Sequence, residues 1–210
     1  MIHPKSRLAY IGDHIGYGVV ATGFIPKGSM TYVKDDLEIS ISPRRFNSLS
    51  VGLQAEVEKY SYRTKKGSRI ISWDIAKYMN HSCHPNTIST GWGFEMAIRD
   101  IHEGEEITDE YGLFNMDYNF PLNCQEQGCR GMIYPDDIDK YGETWDQWIV
   151  EALKDFNQVE QPLLAFMDKR TVNALAAYLS GRRKYISVKN LKYIGPTGSI
   201  KSVNSPAMYH

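Results

Sequence analysis

The sequence predicts a mainly β fold that is followed by a helical C-terminal extension. Up to about residue 112, short segments rich in β-branched and aromatic residues alternate with turns that contain Gly or Pro. The βαβ alternation of a doubly wound sheet is missing. Beyond Asp136, apolar residues recur instead at helical spacing. The 210 residues, 42% hydrophobic and 23% charged, are enough for one core with appendages.

The predicted strands are short and flanked by turn residues; they cover 8–11, 17–22, 30–33, 69–73, 87–90, 94–98 and 106–108. The first two predict a hairpin, and so do 87–90 and 94–98 across Gly91-Trp92-Gly93.

Three helices are predicted. Ser42-Pro43 opens one that continues to about Tyr62, since Pro is favoured at the first helical position. Thr144 and Gln147 form a capping box for a second, and Pro162 starts a third that ends at Gly181. The last two helices either cover the β domain or form a homodimer contact.

Charge is distributed unevenly along the chain. The net charge is −1, but residues 95–160 carry 17 acidic and 4 basic side chains, whereas 168–210 carry 8 basic and 1 acidic. The acidic part favours a cationic partner, with solvated helix faces as the alternative. The basic residues near the end are scattered, so direct nucleic-acid binding is not predicted.

No run of 18 apolar residues and no signal-peptide pattern is present. The sequence therefore predicts an intracellular, cytoplasmic protein without membrane insertion, and a nuclear location stays open.

A polar loop between two apolar segments concentrates reactive side chains. Residues 80–86 read NHSCHPN. Three uses are open from residue chemistry alone: Cys83 ligating a metal with His81 or His84, Cys83 acting as a nucleophile, or Asn80 and His81 holding neighbouring backbone through hydrogen bonds.

Two further stretches give this loop a context. Residues 104–112 read GEEITDEYG, and residues 16–28 contain G-x-G, a β-rich segment and I-x-x-G. Together the three stretches resemble the motifs of SET-domain protein lysine methyltransferases, in which N-H-S-C-x-P-N is followed by G-E-E-L-T-x-x-Y-G. They occur in the family's order over about half of the chain.

The resemblance implies a SET-domain β-clip fold, in which the segment around Tyr111 passes under the loop around Asn80 as a pseudoknot. It implies methyl transfer from S-adenosylmethionine to a lysine of a histone or non-histone protein substrate. Tyr111 would be the catalytic residue, and the cofactor would be bound by Gly16, Tyr17, Gly18, Asn80, His81 and Tyr111. The expected boundaries are 4–112 for the SET domain, 113–135 for a post-SET-like segment, 136–183 for the helical extension and 184–210 for a partly mobile tail.

The post-SET-like segment bears on metal binding. In the family it supplies three cysteines that hold one zinc ion together with a fourth cysteine. The fourth belongs to the central loop, which corresponds to residues 80–86 here. Here Cys124 and Cys129 match two of them and Cys83 matches the loop cysteine, but Leu122 stands where the remaining one is expected. A structural zinc site is normally four-coordinate, so a histidine or water would have to complete it, or the loop is metal-free.

Two positions depart from the family pattern. Asp109, two residues before Tyr111, stands where an aromatic residue is common, and Ser89 is a second such place. These departures leave open how many methyl groups are transferred. Asp109 and the incomplete cysteine set also favour the alternative of a catalytically altered SET fold that binds a peptide or partner, while a metal hydrolase that uses His81, Cys83 and His84 is a third possibility.

Overall fold

The computed structural model describes residues 1–124 and 126–195. In this part of the chain the strands are β1 Ser6–Gly12, β2 Gly16–Ala21, β3 Met30–Val33, β4 Ile39–Ile41, β5 Ser61–Arg63, β6 Arg69–Ile71, β7 Asn80–His81, β8 Thr87–Ser89, β9 Phe94–Ala97, β10 Glu106–Asp109, β11 Phe120–Pro121 and β12 Met132–Ile133. The α-helices are α1 Pro43–Asn47, α2 Val51–Tyr60, α3 Asp137–Leu153 and α4 Lys169–Leu179. Short 3-10 turns occupy Ile75–Tyr78, Tyr111–Leu113, Phe156–Gln158, Leu164–Phe166 and Val188–Leu191.

The strands form small sheets, as a mainly β fold with many turns predicts. One has four strands in the order β1-β2-β10-β7, two have three strands in the orders β3-β9-β8 and β4-β6-β5, and one pairs β11 with β12. The predicted hairpins are confirmed, since β1 pairs antiparallel with β2 and β8 with β9. Gly16 closes the first hairpin at φ +81°, a left-handed conformation that glycine adopts without a steric penalty.

The predicted crossing of two remote segments is present. β10 pairs antiparallel with β2 on one edge and parallel with β7 on the other, where Thr108 is opposite Asn80 and Asp109 opposite His81. Asn86, fully buried, fastens the crossing because its side chain donates to the carbonyl of Glu106 at 2.7 Å and accepts from the amide of Thr108 at 2.8 Å.

The predicted helix from Ser42 to Tyr62 is two helices. Ser42 caps α1 as expected, but the chain leaves the helix at Ser48, and Ser50 caps α2 through a bond from the amide of Leu53. The predicted single helix is therefore wrong, and Leu53 in α2 is 55% exposed.

The two C-terminal helices begin elsewhere than predicted. α3 begins at Asp137, so Thr144 lies in its interior and is not a cap. α4 is capped by the side chain of Asp168, which accepts from the amide of Thr171, and the segment after Pro162 forms only a 3-10 turn. The predicted end at Gly181 is confirmed by its φ of +73° just beyond the helix.

The helical extension packs on the β domain. Trp145 and Ile149 of α3 share one buried cluster with Phe94 and Met96 of β9 and with Ile88 of β8. A second cluster lies between β2, β10 and the 3-10 turn Ile75–Tyr78 and includes Val19, Ile107 and Met79. The extension thus covers one face of the β domain, and the predicted domain boundaries and the homodimer stay predictions.

The first part of the predicted tail is packed. Val188 is fully buried, and its amide donates to Asp146 of α3 at 2.8 Å. Residues 196–210 of the predicted mobile tail lie outside the described residues. None of the described helices combines the length and apolarity that crossing a membrane requires.

Candidate active site

The crossing of β7 and β10 brings Tyr111 to Asn80 and His81. Tyr111 follows β10 at the start of a 3-10 turn, and its phenol donates to the carbonyl of Met79 at 2.5 Å. Its backbone amide donates to Nδ1 of His81 at 3.3 Å. Tyr111, which is 30 positions beyond His81 in the sequence, therefore lies next to the Asn80–His81 strand, as the predicted crossing requires.

Asn80 joins this crossing to the first hairpin. Its Nδ2 donates to the carbonyl of Tyr17 at 3.1 Å and to Oε1 of Glu106 at 2.8 Å. Gly18 allows the close approach, because a Cβ there would lie 2.4 Å from Oε1 of Glu106 and 2.7 Å from Nδ2 of Asn80. Packing thus requires glycine at position 18, whereas a Cβ at Gly16 would meet no neighbouring atom.

His81 is held as a neutral imidazole. Burial, and then the positive charge of Arg130, lower its pKa to about 4. Because Nδ1 accepts from the amide of Tyr111, the ring proton resides on Nε2, which lies 3.3 Å from Sγ of Cys83. A ring whose accepting nitrogen is already engaged is suited to orient its neighbours and not to act as a general base.

Tyr111 stays a protonated phenol. Burial, and then the carboxylates of Asp109, Glu106 and Glu95, raise its pKa above the ordinary value. The ring stacks on Phe114 with centroids 4.8 Å apart. The phenol can therefore orient a polar group at the crossing but does not supply a phenolate at neutral pH.

A buried ion-pair cluster supports the turn of Tyr111, and sequence reasoning missed it. Oε1 of Glu110 accepts from the amide of Gly112 at 2.8 Å and from Nη2 of Arg130 at 2.6 Å. Arg130 also lies 3.4 Å from Oδ2 of Asp137 at the start of α3. Glu110 and Asp137 are 2% and 1% exposed, so their charges depend on this arginine. The only signal in the sequence was an arginine beside the last cysteine.

The three cysteines converge, as the resemblance implies. Sulfur atoms of Cys83, Cys124 and Cys129 lie within 4.8 Å of one another, and those of Cys83 and Cys129 are 3.7 Å apart. Bonds of about 2.3 Å in tetrahedral geometry would place two sulfurs about 3.8 Å apart. The donor set therefore fits three corners of a zinc site, and neither His81 nor His84 belongs to the group of mutually close ligand atoms.

The two other uses of the central loop lose support. His84 is directed to Glu126, its Nδ1 lying 3.9 Å from Oε2, and its side chain is 63% exposed. In the metal-free protein, burial raises the pKa of the Cys83 thiol to about 11, which disfavours a nucleophilic thiolate. The metal hydrolase and the cysteine nucleophile are therefore poorly matched to the structure.

The same crossing offers groups suited to a cationic methyl donor. The carbonyl of Met79, the phenol of Tyr111 and the carboxylate of Glu106 are oxygen acceptors near Asn80, and a Cβ on Gly16 would meet no atom within 4 Å. Oxygen atoms of this kind stabilise a sulfonium charge, so the residues fit S-adenosylmethionine.

A mainly β domain whose crossed segments hold a phenol beside an Asn-His strand is the arrangement expected of a SET-type methyltransferase. Comparison with known sequences agrees, because residues 16–112 match the SET domain family. This chain therefore carries a SET domain.

Several relatives are named histone-lysine N-methyltransferases. Over 138 residues the chain is 31% identical to mes-4 of Caenorhabditis elegans, covering 55% of this chain and 15% of that protein. Over 159 residues it is 31% identical to TRX1 of Oryza sativa subsp. japonica, covering 67% and 15%. Among solved structures, the methyltransferase domain of human histone-lysine N-methyltransferase SETMAR aligns with a TM-score of 0.42 and 17% identity, covering 63% of this chain and 58% of that one. The chain thus matches about a seventh of the length of these two curated relatives.

Proposed function

We propose that this protein transfers a methyl group from S-adenosylmethionine to a lysine side chain of a protein substrate. The single observation that carries the proposal is the position of Tyr111, whose phenol is fixed next to Asn80 by the carbonyl of Met79. The similarity to histone-lysine methyltransferases supports a basic protein, a histone or another, as substrate.

Methyl transfer requires a neutral amine in line with the methyl group. Free lysine has a pKa near ~10.4, so only about one amine in a thousand is neutral at pH 7.4. S-adenosylmethionine supplies an electrophilic methyl group on a sulfonium. Gly16, Tyr17, Gly18, Asn80 and His81, with Tyr111, would hold it at the crossing.

The contribution of Tyr111 is orientation. Its phenol is buried and protonated, and aligning the reacting groups in this way is worth up to ~7–11 kcal/mol of the barrier. The burial of the surrounding residues also keeps water away from the amine.

The test is a Tyr111→Phe variant, which removes the oxygen and keeps the ring. Transfer of tritiated methyl groups to proteins of a whole-cell lysate should fall at least tenfold, while binding of S-adenosylmethionine, measured by calorimetry, persists. Tyr134→Phe, at an exposed site away from the crossing, is the matched control and should leave both unchanged. Equal turnover of Tyr111→Phe and wild type would refute the assignment.

The second candidate is a SET fold that binds a peptide or partner without transferring methyl groups. It is favoured by Asp109, a buried carboxyl group at a position where the family commonly has an aromatic residue. The same experiment separates the two functions, because the binding module predicts binding of cofactor or peptide with no labelled product from the wild type.

A further inference from the structure

Two buried carboxyl groups lie beside the catalytic phenol. Glu95 of β9 is 5% exposed and Asp109 of β10 is fully buried. Neither has an arginine or lysine partner among the described residues. Burying two carboxyl groups without a counter-ion is costly unless they hold protons or bind a cation.

The two groups are in hydrogen-bonding contact with each other. If both were ionised, Oε2 of Glu95 and Oδ2 of Asp109 would have no donor in the described part of the chain. A proton held between the two oxygens satisfies both, as in other carboxyl pairs that share a site. The other oxygen of Asp109 already accepts from the amide of Glu110 at 2.7 Å.

The pair is within electrostatic reach of Tyr111. The charges of Asp109 and Glu95 both contribute to the raised pKa of that phenol. Asp109 precedes Tyr111 by two residues on the strand that crosses under Asn80, and Glu95 is opposite Ser89 in the β8-β9 hairpin. The carboxyl pair is thus close enough to Tyr111 to act electrostatically on a lysine amine that arrives at this phenol.

Burial is the main cause that raises the pKa of both members, and their mutual repulsion adds to that of Glu95. The groups that face the pair from the surrounding elements are Ser89 of β8, Tyr62 of β5, Glu110 next to Asp109, Tyr111 and the amino group of Met1. Among these, the amino group is the one cation, and it also lies 3.0 Å from Asp35 and 3.4 Å from Glu38.

We propose that Glu95 and Asp109 bind the ammonium group of the incoming lysine and take up its proton before methyl transfer. This inference rests on the proposed function and adds a base to it. A buried carboxyl pair that carries one negative charge close to Tyr111 would attract the ammonium form and provide a destination for its proton.

The proton transfer balances within the pair. An N–H bond of the lysine ammonium breaks and an O–H bond forms on the carboxyl pair, whose negative charge is lost. The freed lone pair of nitrogen then forms the N–C bond as the C–S bond of the sulfonium donor breaks. The positive charge ends on the methylated amine, and the proton on the pair leaves to solvent before the next turnover.

The test compares pH–rate profiles of wild type, Asp109→Asn and Glu95→Gln, with core histones and tritiated S-adenosylmethionine as the probes. In the wild type, kcat/KM should rise with pH until the pair is ionised and then stay level up to about the pKa of free lysine, ~10.4. In Asp109→Asn only amines that are already neutral can react. Its kcat/KM should be at least tenfold lower at pH 8 and should keep rising about tenfold per pH unit between pH 7 and 9.

A purely structural role of the pair would lower turnover without changing the shape of the profile, and that result would overturn the proposal. Infrared spectra of the wild type give a readout without turnover: a protonated-carboxyl band should persist at pH 6, disappear at higher pH and be altered in Glu95→Gln. This readout remains available if Asp109→Asn does not fold. Absence of the band at pH 6 would also refute the shared proton.

Failure of the proposed function and failure of the proposed role of the carboxyl pair give different experimental results. If the wild type neither binds S-adenosylmethionine nor labels any protein, the proposed function is wrong and the pair has no amine to accept from. If the wild type labels histones while both variants keep its profile and its rate within twofold, only the role of the pair is wrong.

Discussion

Arg130 provides a measurable test of how the turn of Tyr111 is held. Its guanidinium joins Glu110, which caps the amide of Gly112, to Asp137 at the beginning of α3. Replacing Arg130 by Met keeps an unbranched apolar stem and removes the guanidinium with its charge. The change leaves two buried carboxyl groups without their cation.

Arg130→Met should lower the free energy of unfolding by a large amount. Removing one partner of a buried ion pair costs ~3–5 kcal/mol, and the 17% exposure of the Arg130 side chain places this case at about 3 kcal/mol. With a urea m-value of ~2 kcal/mol per M, the unfolding midpoint should fall by about 1.5 M.

The stability that is lost in Arg130→Met should increase with pH. Burial already raises the pKa of Glu110 and Asp137 in the folded protein, and loss of Arg130 removes the charge that opposes this rise. A carboxyl group whose folded pKa is raised stabilises the fold below its unfolded value, near ~4, and loses that contribution as pH increases through the folded value. The Arg130→Met protein should therefore lose more stability than wild type between pH 5 and pH 8.

Arg99→Met is the matched control. Arg99 pairs with Glu105 at 2.5 Å, but its side chain is half exposed, so this loss should cost only ~0–1 kcal/mol. Urea unfolding followed by circular dichroism at pH 5 and pH 8 measures both variants. If Arg130→Met were no more destabilised than Arg99→Met at pH 8, the ion-pair cluster would not hold the turn as described.

Three further outcomes are expected. Gly18→Ala should lower the thermal midpoint and weaken S-adenosylmethionine binding, because its Cβ collides with Asn80 and Glu106, and calorimetry measures both effects. Gly52→Ala, in α2 with open space around the new methyl group, should instead stabilise by ~0.4–1 kcal/mol in urea unfolding. Elemental analysis should find one zinc per chain, and Cys129→Ser should lose it, since three sulfurs already converge there. A metal-free wild type would show that three thiols are too few.

The strands around the site were predictable because their signals are local. Gly16 in a left-handed turn separates β1 from β2, and Gly93, at φ +89°, does the same between β8 and β9. β-branched and aromatic residues on either side then determine the strand type. The crossing of the Tyr111 segment under the loop around Asn80 was predicted only from the family resemblance, since periodicity carries no information about which strands meet, and the pairing of Thr108 with Asn80 comes from the structure.

The helix boundaries failed where two signals compete. Ser42 and Ser50 are both good caps eight residues apart, and the chain uses both, which divides one expected helix into two. Thr144 and Gln147 match a capping box, but the acidic start at Asp136 and Asp137 begins α3 earlier. A capping motif therefore predicts the first residue of a helix only if no stronger start signal lies earlier in the chain.

The groups most important for the proposed chemistry were the least visible in the sequence. Glu95 is an ordinary acidic residue by sequence, and only the pairing of β9 with β8 and the course of β10 bring it against Asp109. Arg130 is likewise one cation among many until its guanidinium reaches Glu110. Long-range packing creates both contacts, and no spacing within the chain encodes them.

The thiol cluster and the turn of Tyr111 are connected through one residue. The backbone amide of Arg130 donates to Sγ of Cys83 at 3.4 Å, while its side chain binds Glu110 beside Tyr111. Whatever orders the loop around Cys129 therefore also fixes the carboxylate that caps Gly112. A zinc ion at the cluster would thus affect transfer through the placement of Tyr111 and would leave the contacts of Asn80 with the first hairpin intact, so its removal should reduce kcat more than cofactor affinity.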